Sequence, residues 1–497
     1  MSRPNILVFL SDDHGQWASR PYGNRELVTP TLDYLACSGA RMENAFTPCP
    51  VCSPARASFH TGRIPSAHGI HDHIGEQNLG AGHPGIAGQT SLAEVLQGQG
   101  YQTGLVGKWH LNHFQQAPPG WDTWFSNATG TNARFGAQPF YESGRSLRDM
   151  EDDENRRASI PRRPSVSDQG SRRVELHGNQ AHHLADRAVR FLRERDRERP
   201  FYLFVGFTNT HTPHIGEPER WVARYRECTF ADLPHVPPSR AHGSLRFHYP
   251  TDRAERREAN AQYYAAVSVI DEMAGRVLDE LADQQAEQDT LVVYTSDHGH
   301  MNGHHGLHTK GNATTPQNFL EESIRVPCLL SWPGRIRAAA THPQLVDHCD
   351  LFMTLADAAG CDCTELARTR GRSGMSCLPL LSESAAVAAD AAREWRDAQV
   401  CEYGNARMVR TDRYKLIKRY PGPNGHFPDE LYDLADDPDE EHNRHGDPAC
   451  AAAVAELTAR LEAHFARNED PARSGLRIAD LPIHNTIEPW RGDPAAG

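Results

Sequence analysis

The chain has 497 residues, enough for a large core and more than one domain, and its 38% hydrophobic and 24% charged residues describe a soluble globular protein. The formal net charge of −13 argues against nucleic acid as a partner, because neutralising phosphates needs a basic face. An anionic substrate is not excluded, since it answers to local charge rather than to the total.

The run Asn5-Ile6-Leu7-Val8-Phe9-Leu10 is apolar, has no basic leader before it and is too short to span a membrane. It predicts a buried first strand and a cytoplasmic protein with no membrane partner. The eleven cysteines are scattered and odd in number, which fits a reducing compartment better than a disulfide framework. The strand runs into Ser11-Asp12-Asp13-His14-Gly15. Two adjacent carboxylates behind an apolar strand are costly unless a cation neutralises them. Ligands of open α/β sheets also collect at the carboxyl ends of strands. Asp12 and Asp13 therefore read as oxygen donors for a hard divalent cation. A solvated, helix-capping turn is the plainer alternative.

Thr29-Pro30 opens a helix that stops at Gly39, and then comes Cys52-Ser53-Pro54-Ala55-Arg56, with Thr61-Gly62-Arg63 behind it. Pro54 suits a first helical turn, and Gly62 can close the helix. Cys52 would then face free backbone N–H groups at the positive helix end, where an anion or a transition state is stabilised. A buried structural cysteine is the commoner fate of such a residue. A helix is expected over 91–96 and a strand over 102–106, leading to Gly107-Lys108-Trp109-His110. Lys108 and His110, two apart on an extended segment, would offer a fixed charge and a titratable base on one face.

Residues 131–173 are polar and without periodicity, and read as a long loop at a substrate mouth; its Arg156, Arg157, Arg162 and Arg163 are either contacts for an anion or a solvated charge run. A helix over 177–195 and a strand over 201–207 deliver His211-Thr212-Pro213-His214. The loop 235–257 is assigned to the substrate mouth as well. A long helix over 258–284 carries core residues such as Tyr263, Val267 and Met273. The next buried strand, 291–295, delivers Ser296-Asp297-His298-Gly299-His300 and a His-rich loop that reaches Lys310. Asp297 adds a third carboxylate and His298 an imidazole nitrogen. A strand over 328–331 and a helix over 347–359 follow, then an Ala-rich stretch over 380–398. Short antiparallel strands are expected over 400–403, 407–411, 414–418 and 430–434, with a helix over 449–466.

The spelling C-x-P-x-R with T-G-R behind it resembles the signature of the type I sulfatases, in the alkaline-phosphatase-like superfamily. Asp12-Asp13, Gly107-Lys108-Trp109-His110, His211-Thr212-Pro213, Asp297-His298-Gly299 and Lys310 match that family's other motifs, in the family's order. The resemblance implies an α/β fold with a large mixed β-sheet sandwiched by helices over 1–375, and a smaller α+β subdomain of antiparallel strands and a helix over 376–497. It implies that Cys52 is oxidised to formylglycine by a formylglycine-generating enzyme, and that the hydrated aldehyde is the nucleophile. Arg56 would hold that hydrate, and Lys108 and Lys310 the sulfate. His110 would sit beside the gem-diol, and His211 at the sulfate and the leaving oxygen. Asp12, Asp13, Asp297 and His298 would bind one divalent cation together with residue 52, calcium before magnesium or manganese.

The implied reaction is hydrolysis of a sulfate monoester, such as a sulfated sugar or an alkyl or aryl sulfate. Two positions depart from the pattern: Ala55 stands where Ser is usual, and His298 where Asn is common. The second variant also occurs in choline-sulfatase-like and phosphonate monoester hydrolase branches, and its nitrogen suits softer ions than calcium. A phosphonate monoester or phosphodiester hydrolase is therefore the nearest rival, although Asp13 stands where that branch resembles D-Q. A two-zinc phosphatase would need Ser or Thr in place of Cys52. An inactive sulfate-ester-binding relative would be expected to lack part of the constellation, and no part is missing.

Overall fold

In a computed structural model, the chain is described throughout except at residues 1–2, 76–82, 113–114, 128–137, 144–171, 234–243, 248, 370, 424, 486 and 491–497. Successive side chains of the strand Asn5–Ser11 point to opposite faces, and both faces are apolar. Ile6, Val8 and Leu10 enter one core, Leu7 and Phe9 another. A strand buried on both sides belongs inside a sheet. It lies fifth in a ten-stranded one, ordered Ala340–Asp347, Ala40–Phe46, Cys328–Ser331, Thr290–Ser296, Asn5–Ser11, Phe201–Gly206, Gln102–Gly107, Thr123–Asn127, Gln138–Ser143, Arg172–Leu176. Cys328–Ser331 and Gln138–Ser143 run against the others, so the sheet is mixed.

Each core closes the sheet with helices. The helices Cys52–Thr61, Leu92–Gly98 and His348–Ala358 cover one face through residues such as Phe59, Leu96 and Phe352. Pro30–Ser38, Gln180–Glu194 and Arg253–Asp283 cover the other through Leu35, Leu184 and Ile270. A second, four-stranded antiparallel sheet follows, ordered Gln399–Tyr403, Ala406–Arg410, Tyr414–Arg419, Glu430–Asp433. The helix Ala451–Asn468 packs Leu457, Leu461 and Phe465 on one of its faces. The opposite face, with Cys401, Met408 and Ile417, meets Phe46, Cys49 and Val51 just ahead of Cys52.

Two expectations need correction. The polar stretch 131–173 is not simply a loop, because Gln138–Ser143 and Arg172–Leu176 form an antiparallel pair at the sheet edge. Phe140 stacks on Phe125 at 4.5 Å, and a strand next to the edge with one such anchor carries too little periodicity to show in a polar sequence. Arg156, Arg157, Arg162 and Arg163 lie outside the described residues. The long helix also starts at Arg253, ahead of the expected 258, because the Asp252 carboxylate accepts from the N–H groups of Ala254 and Glu255. Part of the 235–257 loop lies outside the described residues, and Ser244–Leu245 pairs with Thr314–Thr315. None of the eleven cysteines is joined in a disulfide. Among the described residues, no helix is long and apolar enough to cross a membrane.

Candidate functional site

Four adjacent parallel strands end on one edge of the sheet: Thr290–Ser296, Asn5–Ser11, Phe201–Gly206 and Gln102–Gly107. Asp297 and His298, Asp12 and Asp13, His211, and Lys108 with His110 all follow directly from those ends. The chains approach closely there. A Cβ on Gly107, at φ 112°, would stand 2.2 Å from the Gly206 carbonyl oxygen. Asp13 and His110 adopt φ of 55° and 56°, a region that costs a residue with a Cβ and that gathers at functional sites. Lys108 and His110 are therefore not on one extended segment as expected, since the strand stops at Gly107 and the chain turns left-handed at His110.

Opposite these ends starts the helix Cys52–Thr61, in which every residue is buried. Pro54 lies in its first turn, and Gly62 closes it at φ 67° with its N–H on the Ser58 carbonyl. This places the Cys52 Sγ 3.0 Å from Lys310 Nζ, 3.2 Å from His298 Nε2 and 3.4 Å from Asp12 Oδ1. Lys310 also donates to Asp13 Oδ1 at 2.5 Å, and Lys108 is ion-paired with Asp12. His298 Nε2 lies 3.2 Å from Asp13 Oδ1 and 3.4 Å from Asp297 Oδ1. Arg56 donates from Nε to Asp297 Oδ2 at 2.9 Å and from Nη1 to the Lys108 carbonyl at 3.0 Å. Its guanidinium therefore holds the Asp297 carboxylate and the start of the Lys108 segment. His211 joins Asp12, Asp13 and Cys52 in one group, and Asp12, Cys52, Asp297 and His298 form another; in each, the donor atoms lie within 4.8 Å of one another.

The charges decide the protonation states. Burial pushes the Cys52 thiol up, but Lys108, Lys310 and His298 outweigh it and hold the thiol well below its ordinary value. Burial also raises the Asp13 carboxyl, yet Lys310, His211 and His298 bring it well below the usual range. Asp297 goes the other way, pushed up to about 6 by burial and by Asp12. Burial lowers His298, but Asp297 beside it lifts the imidazole to about 9. Burial and the Lys108 charge lower His110 to about 4, so its ring is neutral near pH 7.

Sequence reasoning assigned no role to His300. Its Nδ1 lies 3.6 Å from Asp13 Oδ2, and its ring stacks on Tyr263 at 4.8 Å. The Tyr263 hydroxyl in turn donates to the Asp13 carbonyl at 2.9 Å. The available signal was its place two residues behind His298, after the same buried strand.

The donor set fits a divalent cation. The carboxylates of Asp12, Asp13 and Asp297 converge on Cys52 and His298, with Lys108, Lys310 and Arg56 paired to them. Asp13 Oδ2 and Arg56 Nη2 are buried without a hydrogen-bond partner. His298 Nδ1 lies 2.8 Å from the Gly299 carbonyl, which leaves Nε2 as the ligating nitrogen.

A family model described as Sulfatase matches residues 4–361. The chain belongs to the sulfatase family of sulfuric ester hydrolases. A second model, described as N-sulphoglucosamine sulphohydrolase, C-terminal, matches residues 303–467. Mouse (Mus musculus) steryl-sulfatase is 27% identical to this sulfatase over 98% of this chain and 85% of its own. A solved structure in complex with its substrate D-glucosamine-2-N,6-O-disulfate superposes with a TM-score of 0.73 at 22% identity, covering 94% of this chain and 98% of that one. The phosphonate monoester hydrolase of Agrobacterium radiobacter superposes with a TM-score of 0.64, also at 22% identity, over 93% of this chain and 96% of that one. The architecture is the sulfatase fold of the alkaline-phosphatase-like superfamily, as expected from the sequence.

Proposed function

We propose that this sulfatase hydrolyses the sulfate monoester of a carbohydrate or small alcohol, with residue 52 oxidised to formylglycine and one divalent cation at the strand ends. The observation that carries the reading is the placement of Cys52 Sγ within 3.4 Å of Lys310, His298 and Asp12. The aldehyde hydrate at residue 52, made by a maturation enzyme, would supply the nucleophilic oxygen. A cation held by Asp12, Asp13, Asp297, His298 and residue 52 would supply the charge that acidifies that hydrate and offsets the sulfate oxygens. We take it to be calcium, with magnesium and manganese as alternatives. Residues 1–375 form the catalytic unit in this reading, and 376–497 the subdomain behind it.

The chain's own groups divide the remaining work. A sulfate ester spreads its charge over equatorial oxygens, so Lys108 and Lys310 hold the group in line and stabilise it. Arg56 keeps Asp297 and the Lys108 segment in place. The Nδ1 of His211 lies 2.7 Å from the Thr212 carbonyl, which leaves Nε2 to carry the proton given to the departing alcohol. His110 is neutral near pH 7 and takes a proton from residue 52. Support for a sugar comes from the C-terminal family match and from the disulfated glucosamine held by a structural neighbour.

The test is Cys52→Ala with intact-mass analysis of the parent. The parent should carry an aldehyde in place of its thiol, and the variant should fold but turn over no aryl sulfate. Turnover by the variant at the parent rate would sink the reading. His298 favours a second reading, a phosphonate monoester hydrolase. A kcat/KM for aryl phosphonate above that for aryl sulfate would select it.

A further inference from the structure

Neither family match reaches past residue 467, yet the chain beyond it returns to the reaction centre. The carbonyl of Arg473 pairs with His71 Nε2 at 2.7 Å, and the His484 carbonyl accepts the Gly75 N–H at 2.9 Å. The Asn485 side-chain amide donates to Asp72 Oδ2, whose other oxygen accepts from the Tyr403 hydroxyl at 2.8 Å and the His73 N–H at 2.8 Å. His484, Asn485 and Asp72 are all buried. The loop 71–75 is thus held from behind by the tail.

Its front holds His110. The Ile74 carbonyl lies 3.1 Å from His110 Nε2, and a carbonyl can only accept, so Nε2 carries the hydrogen. The Ser53 hydroxyl locks the same piece. It accepts from the Ile74 N–H at 2.9 Å and donates to the His110 carbonyl at 2.8 Å, one residue from Cys52. With Nε2 taken, Nδ1 is the basic nitrogen left to face Cys52.

We propose that the C-terminal segment 473–485 is a working part of the reaction centre: through His484 and Asn485 it fixes the loop 71–75, and the Ile74 carbonyl then sets the tautomer and aim of His110. Asn485 is in this sense a positioning residue. The inference rests on the reading of His110 as the base, but the tautomer can be measured without it.

The experiment compares full-length wild type, Asn485→Ala and Asn485→Asp. The last keeps the side-chain volume and sets a carboxylate against Asp72, so it serves if the first fails to fold. Imidazole nitrogen NMR, with the His110 signals assigned by their loss in His110→Gln, should show hydrogen on Nε2 in wild type and a tautomer mixture in the variants. On an aryl sulfate, kcat should fall by about 10- to 100-fold with KM nearly unchanged. Wild-type tautomer and kcat in both variants would overturn the proposal. A rise in KM alone would also overturn it, making the tail a wall of the substrate site. The same NMR measurement on Cys52→Ala separates the outcomes, because the tautomer should persist there whether or not residue 52 is ever oxidised.

Discussion

Asp297 and Asp350 are both fully buried, both face an arginine, and burial pushes both carboxyls up to about 6. Their surroundings differ. Asp350, in the first turn of the helix His348–Ala358, completes the capping box begun by Asp347, and both of its oxygens are taken. Oδ1 accepts from the Met375 N–H at 2.7 Å and Arg396 Nη1 at 2.8 Å; Oδ2 accepts from the Asp347 N–H at 2.8 Å and from Arg396 Nη2. Asp297 shares its cluster with the Asp12 carboxylate, the Cys52 thiol and the His298 imidazole, and the arginine that binds it keeps Nη2 without a partner. Burial and a shifted carboxyl therefore do not separate a strut from a site. Here the two differ in company: Asp297 stands beside Cys52 and a second carboxylate, with Arg56 Nη2 left unspent, whereas Asp350 and Arg396 pair through both arms of the guanidinium.

That contrast can be broken by substitution. The largest effect is expected from Lys310→Ala, which should lower kcat/KM for an aryl sulfate by about 10³-fold without unfolding the protein. Asp13→Asn should weaken divalent-cation binding by at least about 10²-fold in a chelator titration. If affinity were unchanged, the cluster would have to be read as another strut. Asp350→Ala should do the reverse. It leaves Arg396 without its main counter-ion and should cost about 3 kcal/mol in a urea titration, with turnover per folded molecule unchanged. A loss of turnover larger than the loss of folded protein would merge the two regions. The smallest effect belongs to Arg460, whose partners Asp397 and Glu456 are exposed; its replacement by Ala should change stability by less than about 1 kcal/mol.

Much of this was legible because the sheet's central strands are apolar on both faces and end abruptly in charge. Asn5–Ser11 followed by Asp12-Asp13, and Thr290–Ser296 followed by Asp297-His298, announce both their place and their purpose. The helix at Cys52 was readable from Pro54 and Gly62 alone. The pairing of Arg56 with Asp297 was not, since a long side chain can reach several acceptors and only the packed geometry selects one. His300 escaped for a similar reason. Its contact with Asp13 depends on Tyr263, which comes from a helix on the far face of the sheet and reads in sequence as core. The last two strands of the sheet, Gln138–Ser143 and Arg172–Leu176, owe their state to partners rather than to composition.

The ion pairs of the cluster join residues far apart in the chain: Lys108 to Asp12 across 96 positions, Arg56 to Asp297 across 241 and Lys310 to Asp13 across 297. At ribosomal rates of about 5–20 residues per second, roughly 15–60 s separate the synthesis of Asp13 from that of its lysine. During that interval Asp12 gains Lys108 early, while Asp13 still lacks Lys310, the lysine it pairs with. The full charge set of the reactive centre therefore exists only in chains made past Lys310, about three-fifths of the way along the sequence.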